Sequence, residues 1–247
     1  MRAIILAGGL GTRLRGAVPD VPKPLALVNG EPFLALVMRN LRRNGVDEVI
    51  LSIGHMGEMI RERFGDGFEG ARILYSEESS PLGTGGALRK AAAMTSGEPA
   101  LALNGDTYLD IDHCAIMRAH LAGSSKITIA LKRVENTARF GKVGVEDGKV
   151  ISFLEKGSGG PGLVNAGVYA ISPGLFDGFS RLPPFSLETD FLPERLPILR
   201  PGCFITEGDF IDIGTPEDYE RARAFFTAQD PAAGRRRQMN ELEFDHG

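Results

Sequence analysis

Cysteine is scarce in this 247-residue chain: Cys114 and Cys203 are the only two, and they form no Cys-x-x-Cys pair. That excludes a small disulfide scaffold and fits a reduced, cytoplasmic setting. No stretch of 18 apolar residues occurs, so no membrane-spanning helix is expected. The apolar run Ala3–Ala7 is too short for a signal-peptide core, and no cleavage pattern follows it. An excess of positive charge is missing too: 28 Lys and Arg against 32 Asp and Glu leave a net charge of −4. A general nucleic-acid binder is thereby disfavoured, since phosphate contacts require clustered cations. A local basic pocket around one small phosphorylated ligand stays open. The four histidines, His55, His113, His120 and His246, are scattered and read as structural or surface residues. His113, Cys114 and His120 match no zinc spacing.

What is present is an ordinary globular composition, 43% hydrophobic and 24% charged. A chain of this length buries roughly 70–75% of its unfolded surface without staples. Strand-length apolar runs alternate with helical segments: strand Ala3–Ala7, helix Pro32–Asn44, strand Glu48–Ile53, helix Glu58–Phe64, strand Arg72–Tyr75, helix Gly85–Met94, strand Ala100–Leu103, helix Asp112–Leu121. This alternation predicts a Rossmann-like α/β fold, a mainly parallel sheet with helices on both faces. After about residue 125 the pattern changes. Lys126–Arg133, Lys142–Val145, Val150–Phe153 and Val164–Ile171 read as strands of a small, mixed or antiparallel extension, with a hairpin turn at Glu146-Asp147-Gly148-Lys149. Leu187–Arg195 and Glu217–Phe226 are the last expected helices. There is no internal repeat. The expectation is one domain over 1–228, with halves 1–125 and 126–228, and a flexible polar tail over 229–247.

The first chemical signal is Leu6-Ala7-Gly8-Gly9-Leu10-Gly11-Thr12-Arg13-Leu14. A buried strand running into a glycine loop is where α/β proteins bind phosphates, because bare backbone N–H groups can approach the anion. Leu14 occupies the third glycine position of a dinucleotide fingerprint, and Ala17 the lysine of a P-loop, so neither motif applies. Arg13 follows the glycines, and Lys23 stands between Pro22 and Pro24. Arginine grips phosphate oxygens bidentately and lysine supplies a compact charge. The prolines restrict the backbone around that charge.

Two acids end apolar runs. Asp106 follows Ala100–Leu103 in Asn104-Gly105-Asp106, and Asp212 follows Phe210-Ile211. Each alone reads as a cap or turn residue. Beside a phosphate loop the two suggest a Mg²⁺ site, since Mg²⁺ takes one or two carboxylates together with substrate phosphates and water. Asp110 and Asp112 read as caps of the following helix.

With these blocks in view the chain resembles the sugar-1-phosphate nucleotidyltransferases, or NDP-sugar pyrophosphorylases, over about residues 1–226. The resemblance is carried by the glycine opening with Pro22-Lys23-Pro24, and by Pro81-Leu82-Gly83-Thr84-Gly85-Gly86-Ala87 and Asn104-Gly105-Asp106. Further along it is carried by Phe153-Leu154-Glu155-Lys156, Asn165-Ala166-Gly167-Val168-Tyr169 and Asp212-Ile213-Gly214-Thr215-Pro216-Glu217-Asp218-Tyr219. Within the family, Thr84-Gly85-Gly86 and the Phe210–Gly214 ending most resemble the heptose 1-phosphate guanylyltransferases.

The resemblance implies an enzyme that joins a nucleoside triphosphate, GTP by the closer likeness, to a sugar 1-phosphate with Mg²⁺ as cofactor. It implies nucleotide contacts from Leu6, Ala7, Gly8, Gly9, Gly11, Thr12, Arg13, Lys23, Gly83, Thr84, Gly85, Asn104 and Asp106. Thr84 is also expected to cap the Gly85–Met94 helix. Sugar-phosphate contacts fall to Gly141, Glu155, Lys156, Asn165, Gly167 and Glu188, with Asp190 beside them or serving only the helix dipole. Arg13, Lys23, Asp106 and Asp212 carry catalysis, with Asp106 and Asp212 on the metal. Gly157 stands where many relatives have proline, which loosens the expected hold on Lys156. The same chemistry on mannose 1-phosphate, or with UTP or dTTP, is an alternative, as is a non-catalytic nucleotide-sugar sensor. No nucleic-acid or membrane partner is expected, and exposed helices are compatible with a homodimer.

Overall fold

The computed structural model describes residues 1–9, 14, 18, 20–154, 157 and 159–229. Its first half holds β1 (Arg2–Leu6), β2 (Leu27–Val28), β3 (Glu31–Pro32), α1 (Phe33–Arg43), β4 (Glu48–Ile53), α2 (Gly57–Phe64), β5 (Gly67–Phe68), β6 (Ala71–Glu77), α3 (Gly83–Ala92), β7 (Ala100–Asn104), β8 (Thr107–Leu109) and α4 (His113–Ala122), of which β1, β4, β6, β7 and the four helices follow the hydrophobic pattern. The second half adds β9 (Ile127–Val134), β10 (Val143–Glu146), β11 (Lys149–Phe153), β12 (Gly162–Ile171), α5 (Leu192–Leu199), β13 (Gly202–Thr206), β14 (Phe210–Asp212) and α6 (Pro216–Gln229).

Among the described residues one ten-stranded sheet runs in the order β10-β11-β13-β9-β12-β7-β1-β4-β6-β5. Its middle is parallel, β7, β1, β4 and β6 sharing one direction. β12 joins antiparallel to β7 and β9 antiparallel to β12, so both halves share one sheet. The β10–β11 hairpin turns at Asp147 and Gly148 with φ of 47° and 69°, the double left-handed turn its residues favour. Apolar clusters cover both faces, one gathering α1, α2, α4 and α6 and the other α3 and α5. On α1, Phe33, Leu34, Val37, Met38 and Leu41 are each at most 2% exposed. Burial of each such side chain is worth about 1.5–3 kcal/mol. No helix among the described residues is long and apolar enough to cross a membrane.

Of the two arrangements expected for the second half, mixed or antiparallel, it takes the mixed one, since β13 runs parallel to β9 and separates it from β11. Two expectations are corrected. The helix expected over Leu187–Arg195 is a π-helical turn, Leu187–Phe191, continuing as α5 to Leu199. Ser186 Oγ caps that turn, and Pro193 opens the α-helix where a missing N–H costs nothing. Gln229, expected to begin the tail, belongs to α6; the rest of the expected tail, residues 230–247, lies outside the described residues.

Candidate active site

A cavity of about 440 Å³ opens at the C-terminal ends of β1 and β7, the edge where parallel α/β sheets bind ligands. Leu6, Ala7, Gly8 and Gly9 line it as the chain leaves β1, with Asn104 and Asp106 at the end of β7. Lys23, Glu78, Gly83, Thr84 and Gly214 complete its wall. The loops meet too closely for side chains. A Cβ on Gly8 would stand 2.7 Å from Glu78 Oε1 and 3.1 Å from Gly54 N, and one on Gly105 would stand 2.8 Å from Leu6 O.

Lys23 begins a short 3₁₀ turn set by its flanking prolines; Leu25 N donates to Pro22 O and Ala26 N to Lys23 O. Its Nζ donates to Asp106 Oδ2 at 2.5 Å, and Thr107 Oγ1 donates to Asp106 Oδ1 at 3.3 Å. Asp212 arrives by strand pairing. β14 lies antiparallel to β8 with Asp212 opposite Thr107, and Ile213 N donates to Asp106 O at 3.1 Å. Burial, then the Asp106 charge, pushes the Asp212 carboxyl up, while Lys23 and the Gly214 N–H hold it down. The two acids and the lysine therefore act on one another electrostatically. Among the described residues no three His, Cys, Asp or Glu side chains gather as a metal cage. Asp106 on the cavity wall and Asp212 next to it across the β8–β14 pair are two hard carboxylates, the kind Mg²⁺ uses when substrate phosphates and water supply its remaining ligands. Asp212 itself borders a second cavity of about 370 Å³, lined also by Lys132, Phe140, Asp209, Asp218 and Arg221.

Other expected residues take various positions. Gly85 N donates to Phe185 O at 3.0 Å, which ties its loop to the segment before Glu188. Thr84 does not cap α3. The helix starts at Gly83, and Thr84 Oγ1 accepts from Leu187 N at 2.9 Å and donates to Glu188 Oε2 at 2.7 Å. Gly167, at φ +67°, packs where a Cβ would meet Asn104 Nδ2 at 2.9 Å. Asn165 Oδ1 accepts from Gly167 N at 3.0 Å. Neither Asn165, Gly167 nor Glu188 lines the larger cavity; they reach its wall through Asn104 and Thr84. Gly141 follows Phe140 of the second cavity, and its N–H closes a turn onto Thr137 O. Asp190 accepts from Ser186 N and pairs with Arg181, a turn-closing role. Asp112 caps α4 through Ala115 N as expected, whereas no side-chain bond from Asp110 caps that helix. Gly11, Thr12, Arg13, Glu155 and Lys156 lie outside the described residues.

Three groups escaped sequence reasoning. Glu78 lines the cavity, its Oε2 accepting from Leu82 N and its Oε1 left facing Gly8; burial pushes its carboxyl up. In sequence it follows Glu77 and precedes two serines, a solvated-looking run. Tyr169 is wholly buried in an apolar strand that gives its hydroxyl away to no pattern. Asp218, 2% exposed, is gripped by Arg139 from 79 residues away, a pairing no local spacing signals. Asn104 Oδ1 is buried without a partner among the described residues. His120 bonds Thr128 and Ser172, the structural role expected of it.

A family model described as nucleotidyl transferase matches residues 2–229. The chain is 42% identical over 223 residues to D-glycero-alpha-D-manno-heptose 1-phosphate guanylyltransferase of Aneurinibacillus thermoaerophilus, covering 90% of this chain and 97% of that one. To the enzyme of the same description from Campylobacter jejuni it is 44% identical over 220 residues, covering 89% and 97%. The crystal structure of HddC from Yersinia pseudotuberculosis complexed with GMP-PN superposes with a TM-score of 0.81 at 35% identity, over 91% of this chain and 99% of that one.

Proposed function

The chain belongs to the nucleotidyl transferase family, and on that footing we propose that it transfers GMP from GTP to D-glycero-alpha-D-manno-heptose 1-phosphate, giving the GDP-heptose and pyrophosphate. The observation that carries the chemistry is the meeting of Lys23, Asp106 and Asp212 beside a glycine-walled cavity. The likeness to two heptose 1-phosphate guanylyltransferases over nearly their whole length supports the substrate pair.

A sugar-phosphate oxygen attacks the α-phosphorus; the new P–O bond forms as the bond to the β-phosphate oxygen breaks and pyrophosphate departs. A phosphate monoester loses its second proton near pH 6, so the nucleophile is already mostly a dianion and requires no general base. What the protein contributes is alignment and charge, as in other phosphoryl transfers. Lys23 is assigned to the α-phosphate, and Arg13 joins it on the departing pyrophosphate. The backbone from Leu6 to Gly9 with Gly11 and Thr12 cradles the phosphates. Gly83, Thr84, Gly85 and Asn104 face the nucleoside. Gly141, Glu155, Lys156, Asn165, Gly167 and Glu188 hold the sugar phosphate. Asp106 and Asp212 would hold Mg²⁺, which would supply neutralisation of phosphate charge.

Glu78 supports guanine as the base. Its Oε1, without a hydrogen-bond partner among the described residues, is an acceptor, and the guanine edge offers two adjacent donors, N1–H and the 2-amino group. Uracil and thymine offer one. The division into a nucleotide-binding half, 1–125, and a sugar-binding half, 126–228, belongs to the same proposal, as does a cytoplasmic setting that keeps Cys114 and Cys203 reduced. A homodimer through helical surfaces is supported by Leu121 on α4 and Ile198 on α5, exposed at 61% and 67%. The experiment is to pair GTP, UTP and dTTP with heptose 1-phosphate and mannose 1-phosphate and measure pyrophosphate. Release is expected with GTP and the heptose; release with UTP alone would overturn the guanylyl assignment.

A further inference from the structure

We propose that Tyr169 is a positioning residue whose hydroxyl couples the nucleotide loop to the sugar pocket, so that filling either site strengthens binding at the other. The inference rests on the substrate assignment above.

Its basis is a hydrogen-bond chain that centres on the buried Tyr169 hydroxyl and ends at the exposed Thr84, with Ser186 Oγ as a second donor to Glu188 Oε2. Asn165 and Tyr169 lie four residues apart on β12, which in a regular strand separates them by about 13 Å. A bulge brings them together. Between the pairings Asn165↔Leu131 and Tyr169↔Ile129, β12 spends four steps against two on β9, with Gly167 in the left-handed region at φ +67°. Asn165 Nδ2 then donates to Tyr169 Oη at 2.8 Å. Tyr169 Oη donates to Glu188 Oε1 at 3.2 Å, and Glu188 Oε2 accepts from Thr84 Oγ1 at 2.7 Å. Thr84 is on the cavity wall.

The polarity of this chain is fixed by chemistry. The Glu188 carboxylate only accepts, so Tyr169 gives it its one proton and must accept from Asn165. That turns the Asn165 amide nitrogen toward Tyr169 and its oxygen toward Gly167 N, as the 3.0 Å bond requires. Tyr169 is 0% exposed, so water cannot replace either partner. A polar chain anchored on a buried hydroxyl with both of its links used holds its members together and transmits the loss of one link to the next. Movement of Thr84 as the nucleotide seats itself thus acts on Glu188 and, through Tyr169, on Asn165. Coupling of this kind is reciprocal and has a typical size of 5–150-fold.

The test uses Tyr169→Phe, which removes one oxygen from a buried ring, with Thr84→Val and Thr84→Ser. Heptose 1-phosphate binding is measured by calorimetry with and without a non-hydrolysable GTP analogue, alongside KM for each substrate and the melting temperature. In the wild type the analogue is expected to tighten sugar-phosphate binding by about tenfold. Tyr169→Phe and Thr84→Val bring that factor near one and raise the sugar-phosphate KM, whereas Thr84→Ser, which keeps the hydroxyl, preserves it. A purely structural role would lower the melting temperature and leave the coupling factor intact in the folded protein, which overturns the inference, as does a wild type without coupling. Turnover by the wild type with unchanged coupling in Tyr169→Phe defeats this inference alone; no turnover on GTP and the heptose defeats the substrate assignment with it.

Discussion

Lys23 Nζ and Asp106 Oδ2 stand 2.5 Å apart across 83 residues of sequence, and the Lys23 charge also holds down the Asp212 carboxyl. One ammonium thus offsets two carboxylates, one on the cavity wall and one behind it, that would otherwise repel. Lys23→Ala and Asp106→Asn are each expected to lower turnover by a factor of about 10² or more, the usual size for removing one electrostatic donor. Their melting temperatures should stay near that of the wild type. Lys23→Ala has a second signature. With its counter-charge gone, Asp212 binds a proton more readily, so the acid limb of the kcat profile moves to higher pH. Pyrophosphate release across a pH series checks both; near-wild-type rates contradict the assigned roles.

Glu78 is expected to separate function from stability. Burial raises its carboxyl pKa, so keeping it ionised at neutral pH costs the folded state. Glu78→Gln removes that charge and should raise the melting temperature at pH 7, an advantage that disappears as the pH falls and the wild-type carboxyl is protonated. The amide presents a donor as well as an acceptor, so the KM for GTP should rise about tenfold or more. Thermal melts at two pH values and GTP titrations decide; a weaker melt with unchanged GTP use would remove Glu78 from the base pocket.

His113 sets a limit on acid stability. Burial pushes its pKa from 6.5 down to about 4, so the folded chain keeps it neutral while the unfolded chain protonates. The sign follows: its contribution is intact above pH 6.5 and is lost as pH falls toward 4, by about 3 kcal/mol for 2.5 pKa units. His113→Leu, which takes away an Nδ1 with no partner among the described residues, should flatten that dependence. Urea denaturation of both proteins at pH 7 and pH 4 would show parallel losses if the histidine were irrelevant.

Arg139 ties the 137–141 turn to α6. Its Nη1 donates to Asp218 Oδ1 at 2.8 Å and its Nη2 to Oδ2, while Thr215 and Arg221 hold the same carboxylate. Burial alone would raise the Asp218 pKa; these partners outweigh it and lower it. Arg139→Ala is expected to cost about 1–2 kcal/mol, kept small by the half-exposed arginine and by the partners that remain. Phe140 lines the second cavity beside Asp212, so the KM for the sugar phosphate should rise more than that for GTP. A denaturant midpoint and the two KM values test this, and equal shifts in both would speak against a sugar-side loop.

Much of the site was legible locally. The glycine exit from β1, the prolines about Lys23 and the acids ending two apolar runs are short-range patterns, and short-range sterics carry them into the fold. β8 and β14 were not legible, since three residues show no periodicity. Asn165 and Tyr169 were visible as neighbours in a motif but not as partners, because a bulge has no sequence period.

By itself the order of residues determined the α/β alternation, the hairpin at Asp147-Gly148, the glycine exit from β1 and the residue kinds available for chemistry, because each depends on torsions and hydrophobic spacing within a dozen positions. Only the tertiary structure decided that Asp212 would pair beside Asp106, that Glu78 would turn into the cavity and that Thr84 would hold Glu188 in place of capping its own helix. Those contacts join positions tens to more than a hundred residues apart. They form when packing closes the sheet and brings polar groups out of water against partners from distant parts of the chain.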